Sequence, residues 1–493
     1  MGYYLTYDFG TTALKTALVA DDGRVAAVHS EGYSDRAPRP DWAEMPPETY
    51  WRAMLDGTGR VLALAGARGA DVTAIGLSSQ GQTVIPIDAA GRPLHDAIVW
   101  LDRRASPIAR EWEEEWLPSH EFRRVTGYPW VACELTAFKI AWLTRNKPET
   151  RGAWRFLCLP DFIVHKLTGE AATDYTIALM TGTLDLESQA WQPRIVSAAG
   201  IEESQLPTVF APGTVAGQLR PGPAAELGLR AGTPVCVGAN DQLAGAVGAG
   251  NVHPGVVTET TGTALALVVT LAERVDDDRV CVGRHPVPEC HYALSFANNS
   301  GVVLQWLRDL CAPGQEYAEF LAGVDRIAPG CDGLTMLPHF SGTGMPRLNP
   351  QARGAFDGLT LAHTRDHLAR AVMEACACEL QECLEPLQAL GIRMDSIRSL
   401  GGAAKSDVWL QMKTDMLGTP VERPACPHAA SLGAAMLAAK GVGQFRSVPE
   451  AADAWYRPAD RFEPNPGRRE AYREVYERYA GLYERLYGHR APA

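Results

Sequence analysis

Short apolar runs alternate with small and polar residues from the start of the chain. Residues 3–20 are typical of a strand, a tight Gly-Thr-Thr turn and a second strand, and the Asp-Gly turn at residues 21–23 predicts a further hairpin. A helical run follows at residues 48–64, and then strands at residues 72–78 and 83–88. Helical periodicity returns around residues 137–145. This alternation of strands and helices indicates an α/β protein.

A later part of the chain repeats the opening pattern. After a Pro- and Gly-rich stretch at residues 205–232 and an apolar strand at 234–238, residues 256–270 again predict strand, Gly-Thr turn and strand. The repeated hairpin with a Gly-Thr turn indicates that the chain has two similar halves. We therefore expect two domains, residues 1–250 and 251–493, with a cleft between them.

Composition and charge exclude several classes of partner. The 493 residues are 46% hydrophobic and 21% charged, which is ordinary for a globular protein. A formal charge of −12 disfavours nucleic acid and anionic membranes as partners, and the apolar runs are too short for a membrane span. Eleven cysteines without CxxC pairs favour a reducing cytoplasm. Whether the protein is a homodimer stays open.

The first hairpin carries groups suited to phosphate. Its turn leaves backbone N–H groups unpaired and adds two hydroxyls, and a lysine follows at its far side. The phosphate-binding candidates are Gly10, Thr11, Thr12 and Lys15. Asp8 is a candidate to hold Mg²⁺, directly or through water. A plain hairpin with a turn aspartate is the alternative, and the repeat at Gly262 and Thr263 counts against it, since phosphoryl transfer needs donors from two sides.

A carboxylate follows the apolar strand at residues 234–238. The strand runs into a turn of small residues and then Asp241, after which apolar residues recur at helical spacing. A positioned carboxylate can take the proton of a sugar hydroxyl as its oxygen bonds to phosphorus. A helix cap is the competing interpretation, and the two roles are compatible.

Residues 399–407 combine small residues with the start of a predicted helix. Their sequence, Ser-Leu-Gly-Gly-Ala-Ala-Lys-Ser-Asp, lets a flat ring approach the backbone and is consistent with an adenine site. A tight turn with a Ser or Asp helix cap is the other interpretation.

Together these features resemble the FGGY carbohydrate kinases, the family of xylulose, ribulose and glycerol kinases, over nearly the whole chain. Residues 137–143 (Ala-Phe-Lys-Ile-Ala-Trp-Leu) are similar to the first family signature. Residues 354–359 (Gly-Ala-Phe-Asp-Gly-Leu), continuing to residue 374, match the second closely. Residues 40–44 (Pro-Asp-Trp-Ala-Glu) and the tyrosine-rich last helix, in which the tyrosines form a packing stripe, are also similar.

The resemblance implies a fold of duplicated actin-like (ribonuclease-H-like) ATPase domains around a central cleft that binds ATP and Mg²⁺. It makes Asp241 the catalytic base and puts Asp8 near the metal and the phosphates. Around ATP it assigns Gly10, Thr11 and Thr12 to the transferred phosphate, Gly262 and Thr263 opposite them, Gly301 and Gln305 flanking the nucleotide, and Gly402 and Ser406 beside adenine.

The positions that face the substrate depart from the family pattern. Xylulose kinases usually carry Ser-Gly-Gln-Met-His-Gly where residues 78–83 read Ser-Ser-Gln-Gly-Gln-Thr. Gly81 and Gln82 remove the charged contacts of glycerol kinases, and Gly81 leaves room for a larger substrate. The substrate-binding candidates are Gln80, Gln82, Trp100, Glu134, Asp241 and Gln242, although Glu134 breaks the first signature and Trp100 could be a core residue.

The predicted function is therefore ATP-dependent phosphorylation of a small sugar or polyol, a ketopentose such as xylulose before other substrates. Another polyol, a hexulose or an aldonate is the alternative acceptor. A catalytically weak, actin-like nucleotide sensor is the alternative of another class, although a sensor has no need of a base. A dehydrogenase and a P-loop kinase are disfavoured, because neither GxGxxG with an acidic partner nor GxxxxGK[ST] is present.

Overall fold

The computed structural model describes residues 2–488. Within them the chain forms two compact units, each described by itself below. The first unit contains residues 2–253, 272–292 and 428–456. The second unit contains residues 254–271, 293–427 and 457–488.

The strands are short and occur throughout the chain. They are β1 (Tyr3–Phe9), β2 (Ala13–Ala20), β3 (Val25–Gly32), β4 (Glu44–Met45), β5 (Val72–Ser79), β6 (Val84–Ile87), β7 (Ala97–Ile98), β8 (Arg155–Cys158), β9 (Ala172–Asp174), β10 (Thr208–Phe210), β11 (Val215–Gln218), β12 (Pro234–Cys236), β13 (Ala239–Asn240), β14 (Val256–Thr261), β15 (Leu265–Leu271), β16 (Cys281–Arg284), β17 (His291–Ala297), β18 (Thr335–Leu337), β19 (Ala355–Asp357), β20 (Ser396–Gly401), β21 (Val421–Pro424) and β22 (Pro458–Phe462).

Helices alternate with these strands. They are α1 (Pro47–Ala65), α2 (Ser106–Glu115), α3 (Ser119–Thr126), α4 (Thr136–Asn146), α5 (Leu159–Thr168), α6 (Tyr175–Leu179), α7 (Pro193–Ala198), α8 (Pro221–Leu227), α9 (Asp241–Gly248), α10 (Gly301–Cys311), α11 (Tyr317–Phe320), α12 (Arg365–Ala389), α13 (Asp407–Leu417), α14 (Ala429–Gly441), α15 (Val448–Trp455) and α16 (Arg469–Tyr487). None of the helices described within residues 2–488 is long and apolar enough to cross a membrane.

The main sheet of the first unit has the strand order β11-β12-β5-β1-β2-β3, and β13 also pairs with β5. Strands β1, β2 and β3 form an antiparallel meander, whereas β5 runs parallel to β1, β12 and β13. Helix α14 packs on β1 and β5 at very short range, since a Cβ on Gly76 would lie 2.5 Å from the Ala434 carbonyl oxygen. The sheet is therefore covered closely, and the ends of its parallel strands lie side by side.

The sheet of the second unit repeats this arrangement. From β17 onwards its strand order is β17-β15-β14-β20-β21-β22, with β14 antiparallel to β15 and parallel to β20, and β20 parallel to β21. Strand for strand, this is the order of the first sheet, so the predicted repeat is confirmed. Helices α12, α13 and α16 supply its core, where Tyr472, Tyr479 and Tyr483 are buried as the predicted packing stripe requires.

Candidate active site

The Gly-Thr-Thr turn joins β1 and β2 in the first unit. The Gly10 N–H donates to the Ala13 carbonyl at 3.0 Å, and the Tyr33 hydroxyl donates to the Gly10 carbonyl at 2.6 Å. The Tyr33 N–H donates to the Thr12 carbonyl at 2.9 Å. Among residues 2–488, no carbonyl or side chain accepts from the N–H of Thr11 or Thr12. The carbonyls of Gly10 and Thr12 are thus engaged by the protein, and the N–H groups of Thr11 and Thr12 are available to an anion.

Asp8 lies in β1 directly opposite Lys15 of β2 and Ser78 of β5. The Asp8 carboxylate is buried and accepts a hydrogen bond from Ser78 Oγ to its Oδ1 at 2.8 Å. Burial raises the pKa of Asp8, and the Ser78 hydrogen bond and the Lys15 charge oppose that rise. Within the described chain Oδ2 of Asp8 receives no hydrogen bond, so it is free to face a cation.

Asp241 begins α9 immediately after β13. Because β5 lies between β1 and β13, and Ser78 pairs with both Asp8 and Ala239, the Cα atoms of Asp8 and Ala239 lie about two strand spacings apart, roughly 10 Å. Asp241 follows Ala239 by two residues. Burial raises the pKa of Asp241 to about 7, and the negative charge of Asp8 adds to the rise. The first unit therefore brings together a carboxylate suited to a cation and one with the pKa of a general base.

The backbone before Asp241 is held by buried polar contacts. The Asn240 N–H donates to Thr176 Oγ1 at 2.9 Å, and the Thr176 hydroxyl in turn donates to the Asp174 carboxylate. The Gln242 N–H donates both to Asn240 Oδ1 (3.1 Å) and to Asp241 Oδ1 (2.8 Å). Asn240 is thus the helix cap. Asp241 Oδ2 accepts no hydrogen bond from residues 2–488 and remains available for a proton.

Three of the sugar-side candidates cluster around the phosphate turn. The Trp100 indole N–H donates to Thr11 Oγ1 at 3.0 Å, so Trp100 is bonded to the turn itself and is only half-buried. Gln82 has a left-handed backbone, with φ of 68°, and its side-chain amide lies 3.4 Å from the Tyr128 hydroxyl. Gln80 is buried, and its N–H donates to the Phe9 carbonyl at 2.8 Å.

The remaining sugar-side positions are more constrained than the sequence indicated. Glu134 is ion-paired with Arg103, with 3.5 Å between Oε1 and Nε. A Cβ added to Gly81 would lie 3.1 Å from Met180 Cβ. The Met180 side chain therefore limits the space that Gly81 was expected to leave for a larger substrate. Gln242 is half-buried at the first turn of α9.

The second Gly-Thr turn joins β14 and β15 in the second unit. The Gly262 N–H donates to the Ala264 carbonyl at 3.0 Å, and the Ser300 N–H donates to the Thr263 carbonyl at 3.0 Å. Helix α10 starts against this turn, since a Cβ on Gly301 would lie 2.4 Å from the Gly262 carbonyl oxygen. The start of α10 at Gly301 thus lies against the turn formed by Gly262 and Thr263, so all three residues can contact the same ligand.

The predicted adenine segment lies beside the same turn. Gly401 is left-handed, with φ of 80°, and a Cβ there would lie 2.6 Å from the Thr261 carbonyl oxygen. Gly402 follows at the surface, and Ser406 Oγ caps α13 by accepting from the Trp409 N–H at 3.3 Å. The helix-cap interpretation of Ser406 is therefore confirmed. Gln305 is exposed on α10.

Two lysines near these residues are fully buried, and sequence reasoning assigned a role to neither. Lys139 is on α4 in the first unit, and Lys413 on α13 in the second. Lys413 Nζ is 2.6 Å from Glu259 Oε1 and donates to Thr261 Oγ1 at 2.8 Å, one residue before Gly262. A lysine within an apolar helical run was the available signal, although it does not identify the partner.

His428 is a further residue that sequence reasoning missed. It precedes α14 and lies in the electrostatic surroundings of Asp8 and Lys15. Partial burial lowers the pKa of His428, and the Lys15 charge lowers it further, against the charge of Asp8. The chain segment that carries His428 is far from Asp8 in sequence, so only the folded structure shows the proximity.

Sequence comparison finds two family profiles on the chain. The "FGGY family of carbohydrate kinases, N-terminal domain" matches residues 3–248, and the C-terminal domain of the same family matches residues 258–442.

Individual relatives are similar over almost the whole chain. A xylulose kinase of Bacillus subtilis is 28% identical over 98% of this chain and 97% of its own length. A glycerol kinase of Methylibium petroleiphilum is 32% identical (96% and 97% covered), and a gluconokinase of Bacillus subtilis is 29% identical (92% and 90%). The crystal structure of a xylulose kinase from Rhodospirillum rubrum superposes with a TM-score of 0.90 at 30% identity over 99% of both chains. The predicted fold class, duplicated actin-like α/β domains, is confirmed.

Proposed function

Because the chain belongs to the FGGY family of carbohydrate kinases and is thus a phosphotransferase with an alcohol acceptor, we propose that it transfers the terminal phosphoryl group of ATP to a sugar hydroxyl, with Asp241 as general base. The observation that carries the proposal is the position of Asp241 at the start of α9, beside Asp8 and with a pKa raised to about 7. A base whose pKa lies near the working pH is half ionised there and still accepts a proton readily.

The proposed step is a direct displacement. Oδ2 of Asp241 takes the hydroxyl proton while the sugar oxygen forms its bond to the terminal phosphorus, and the bond from that phosphorus to the bridging oxygen of ADP breaks. The products are a sugar phosphate and ADP. The Thr176–Asn240 contact supports this role, because it fixes the backbone that orients Asp241.

The phosphates and the metal are proposed to bind at the first turn. The free N–H groups of Thr11 and Thr12 and the Lys15 ammonium suit phosphate oxygens, and Gly10 has no side chain to hinder their approach. Asp8 Oδ2 suits Mg²⁺. No group of three or more His, Cys, Asp or Glu residues within residues 2–488 forms a metal cage. That fits Mg²⁺, which one carboxylate and the substrate phosphates can hold, and which offsets phosphate charge when bound.

The nucleotide is proposed to contact a compact set of residues in the second unit. Gly262, Thr263 and Gly301 support this through their mutual contacts, and Gly402 follows the turn that lies against Thr261. The absence of Cβ atoms at the two close approaches lets backbone meet backbone there. The proposed contacts are completed by Gln305 and Ser406.

For the acceptor we propose a ketopentose such as xylulose, bound by Gln80, Gln82, Trp100, Glu134 and Gln242 together with Asp241. Amide side chains donate and accept, which suits several hydroxyls at once. Since the relatives include kinases named for xylulose, glycerol and gluconate, another polyol, a hexulose or an aldonate is the second candidate. Family membership and the paired carboxylates favour an enzyme over a nucleotide sensor.

The experiment is a coupled ATP-consumption screen of the purified protein over ketopentoses, hexuloses, polyols and aldonates, with mass spectrometry of the products. We expect the highest kcat/KM with a ketopentose, and no ATP use without a sugar. A higher kcat/KM for glycerol or gluconate would overturn the ketopentose assignment. Turnover with no member of any class would overturn the proposed function itself.

A further inference from the structure

Lys139 is the feature of the first unit that the proposed mechanism leaves unused. Its side chain lies on α4 and is completely buried. Its Nζ donates to the Gln82 carbonyl at 3.1 Å and to the Trp100 carbonyl at 3.3 Å. These acceptors belong to two separate loops, 57 and 39 residues away from Lys139 in the sequence.

Lys139 has no close anionic partner. Within residues 2–488, no carboxylate forms an ion pair with Nζ. Asp102 is engaged in two hydrogen bonds from the Arg104 guanidinium, at 2.8 and 2.7 Å, and Glu134 pairs with Arg103. A buried ammonium without an ion pair is costly. The hydrogen bonds to the Gln82 and Trp100 carbonyls are therefore the contacts that offset the cost of burying the Lys139 ammonium.

Each acceptor lies in a loop that needs external support. Gln82 adopts a left-handed backbone that a residue with a Cβ rarely adopts. A hydrogen bond to its own carbonyl fixes that peptide. Trp100 is tied at three points: its carbonyl by Lys139, its N–H to Thr83 Oγ1 at 3.1 Å, and its indole to Thr11 at 3.0 Å.

We propose that Lys139 is a positioning residue for the sugar: its Nζ ties together the Gln82 and Trp100 loops, so that both side chains hold the acceptor in register with the phosphate turn. The inference rests on the proposed function, because it takes Gln82 and Trp100 as sugar contacts. It adds a residue that does not itself touch sugar or nucleotide.

The contacts serve in either protonation state. Burial lowers the pKa of Lys139 to about 7, while the charge of Asp102 and, less strongly, those of Glu134, Cys133 and Cys158 raise it. A neutral amine keeps two N–H groups, one for each carbonyl. What matters is therefore the pair of hydrogen bonds, which Lys139→Met removes at every pH while keeping a chain of similar length.

The test compares Lys139→Met with Thr144→Val on the same helix. Thr144 is also buried, and its hydroxyl donates to the Ala141 and Ala199 carbonyls at 3.1 and 2.8 Å rather than to the Gln82 or Trp100 carbonyl. Both variants lose a buried donor from α4. For each we would measure kcat, the KM for the best sugar and the KM for ATP, after circular dichroism has shown a folded protein.

We expect Lys139→Met to raise the KM for the sugar about tenfold or more, with the KM for ATP changed less than about twofold. Thr144→Val should change neither KM by more than about twofold. If Lys139→Met does not fold, Lys139→Gln, which keeps one amide donor group, takes its place, with a smaller rise expected.

Three results would overturn the inference. An unchanged sugar KM in a folded Lys139 variant would refute it while leaving the proposed function intact. A rise in both KM values by the same factor would show a structural role only. A wild-type protein that phosphorylates no sugar, polyol or aldonate would remove the proposed function and this inference together.

Discussion

Replacing Asp241 by Asn should stabilise the first unit at neutral and alkaline pH. The side chains are almost the same size, but Asn carries no charge into a partly buried site beside Asp8. The pKa of Asp241 is raised by burial, and then by Asp8, from 3.8 to about 7. At 1.36 kcal/mol for each pKa unit, ionising Asp241 in the folded protein costs at most about 4 kcal/mol.

The sign follows from proton binding. Between pH 4 and 7, folded Asp241 keeps its proton and unfolded Asp241 has lost it, so rising pH favours the unfolded chain. The wild-type protein should therefore lose stability over this window, up to that limit, and Asp241→Asn should lack this component. Below about pH 4 the two proteins should be equally stable, because Asp241 is protonated in both states.

Urea unfolding at several pH values between about 4 and 8 measures the difference. Tryptophan fluorescence reports mainly on the first unit, since ten of the twelve tryptophans lie in it. Contributions from buried carboxylates that do not interact with Asp241 cancel in the comparison of the two proteins, and the interaction with Asp8 is part of the measured difference. A stability difference that stays constant from pH 4 to 8 would refute the burial argument for Asp241.

Three further predictions concern the surrounding residues. Asp8→Asn removes a like charge near Asp241, so the pKa of Asp241 should fall. The acidic limb of the plot of kcat/KM against pH should therefore move to lower pH by roughly half to one unit. An unmoved limb would contradict the electrostatic interaction between Asp8 and Asp241. Gly301→Ala places a Cβ 2.4 Å from the Gly262 carbonyl oxygen in the second Gly-Thr turn. In steady-state kinetics the KM for ATP should therefore rise about tenfold, with the KM for the sugar unchanged. A normal KM for ATP would contradict the role of Gly301 in nucleotide binding. Lys413→Met leaves the buried Glu259 carboxylate without its ion-pair partner, so the free energy of unfolding measured with urea should fall by about 3–5 kcal/mol. The double variant Lys413→Met/Glu259→Leu should regain most of that free energy. An equal loss in both variants would argue against the ion pair as the cause.

Local pattern was sufficient to predict the elements that carry the site. The helix predicted around residues 137–145 is α4 (Thr136–Asn146), and the predicted hairpin at residues 256–270 is β14 and β15. Both signals lie within one window of sequence: apolar spacing for the helix, and two apolar runs around a Gly-Thr turn for the hairpin. The repeat of that hairpin also predicted the duplicated sheet.

Contacts between distant segments could not be read from the sequence. Residues 272–292 and 428–456 belong to the first unit although they are flanked in sequence by the second. The segment at residues 205–232 is Pro- and Gly-rich, yet it contains β10, β11 and α8. Strand β10 pairs with β9, more than 30 residues earlier in the chain, and β11 pairs with β12. Nothing in their local pattern identifies those partners.

Side-chain roles at the site divide in the same way. The helix-start signal after residue 238 was clear, but Asn240 accepts the capping hydrogen bond together with Asp241, and only coordinates distinguish the two. Trp100 is predicted as a sugar contact, and the hydrogen bond from its indole N–H to Thr11 Oγ1 could not be read from the sequence. Lys139 was visible in the sequence as one residue of a signature, while its two carbonyl partners come from loops that meet only after folding.

The most direct test of the account is the turnover of Asp241→Asn at saturating sugar and ATP, measured beside its ATP dissociation constant. If Asp241 takes the hydroxyl proton, kcat should fall about 100-fold or more. The dissociation constant for ATP should change less than about twofold, because the assigned nucleotide contacts do not include Asp241. Nearly normal kcat, with ATP bound as tightly as by the wild-type protein, would contradict the general-base assignment.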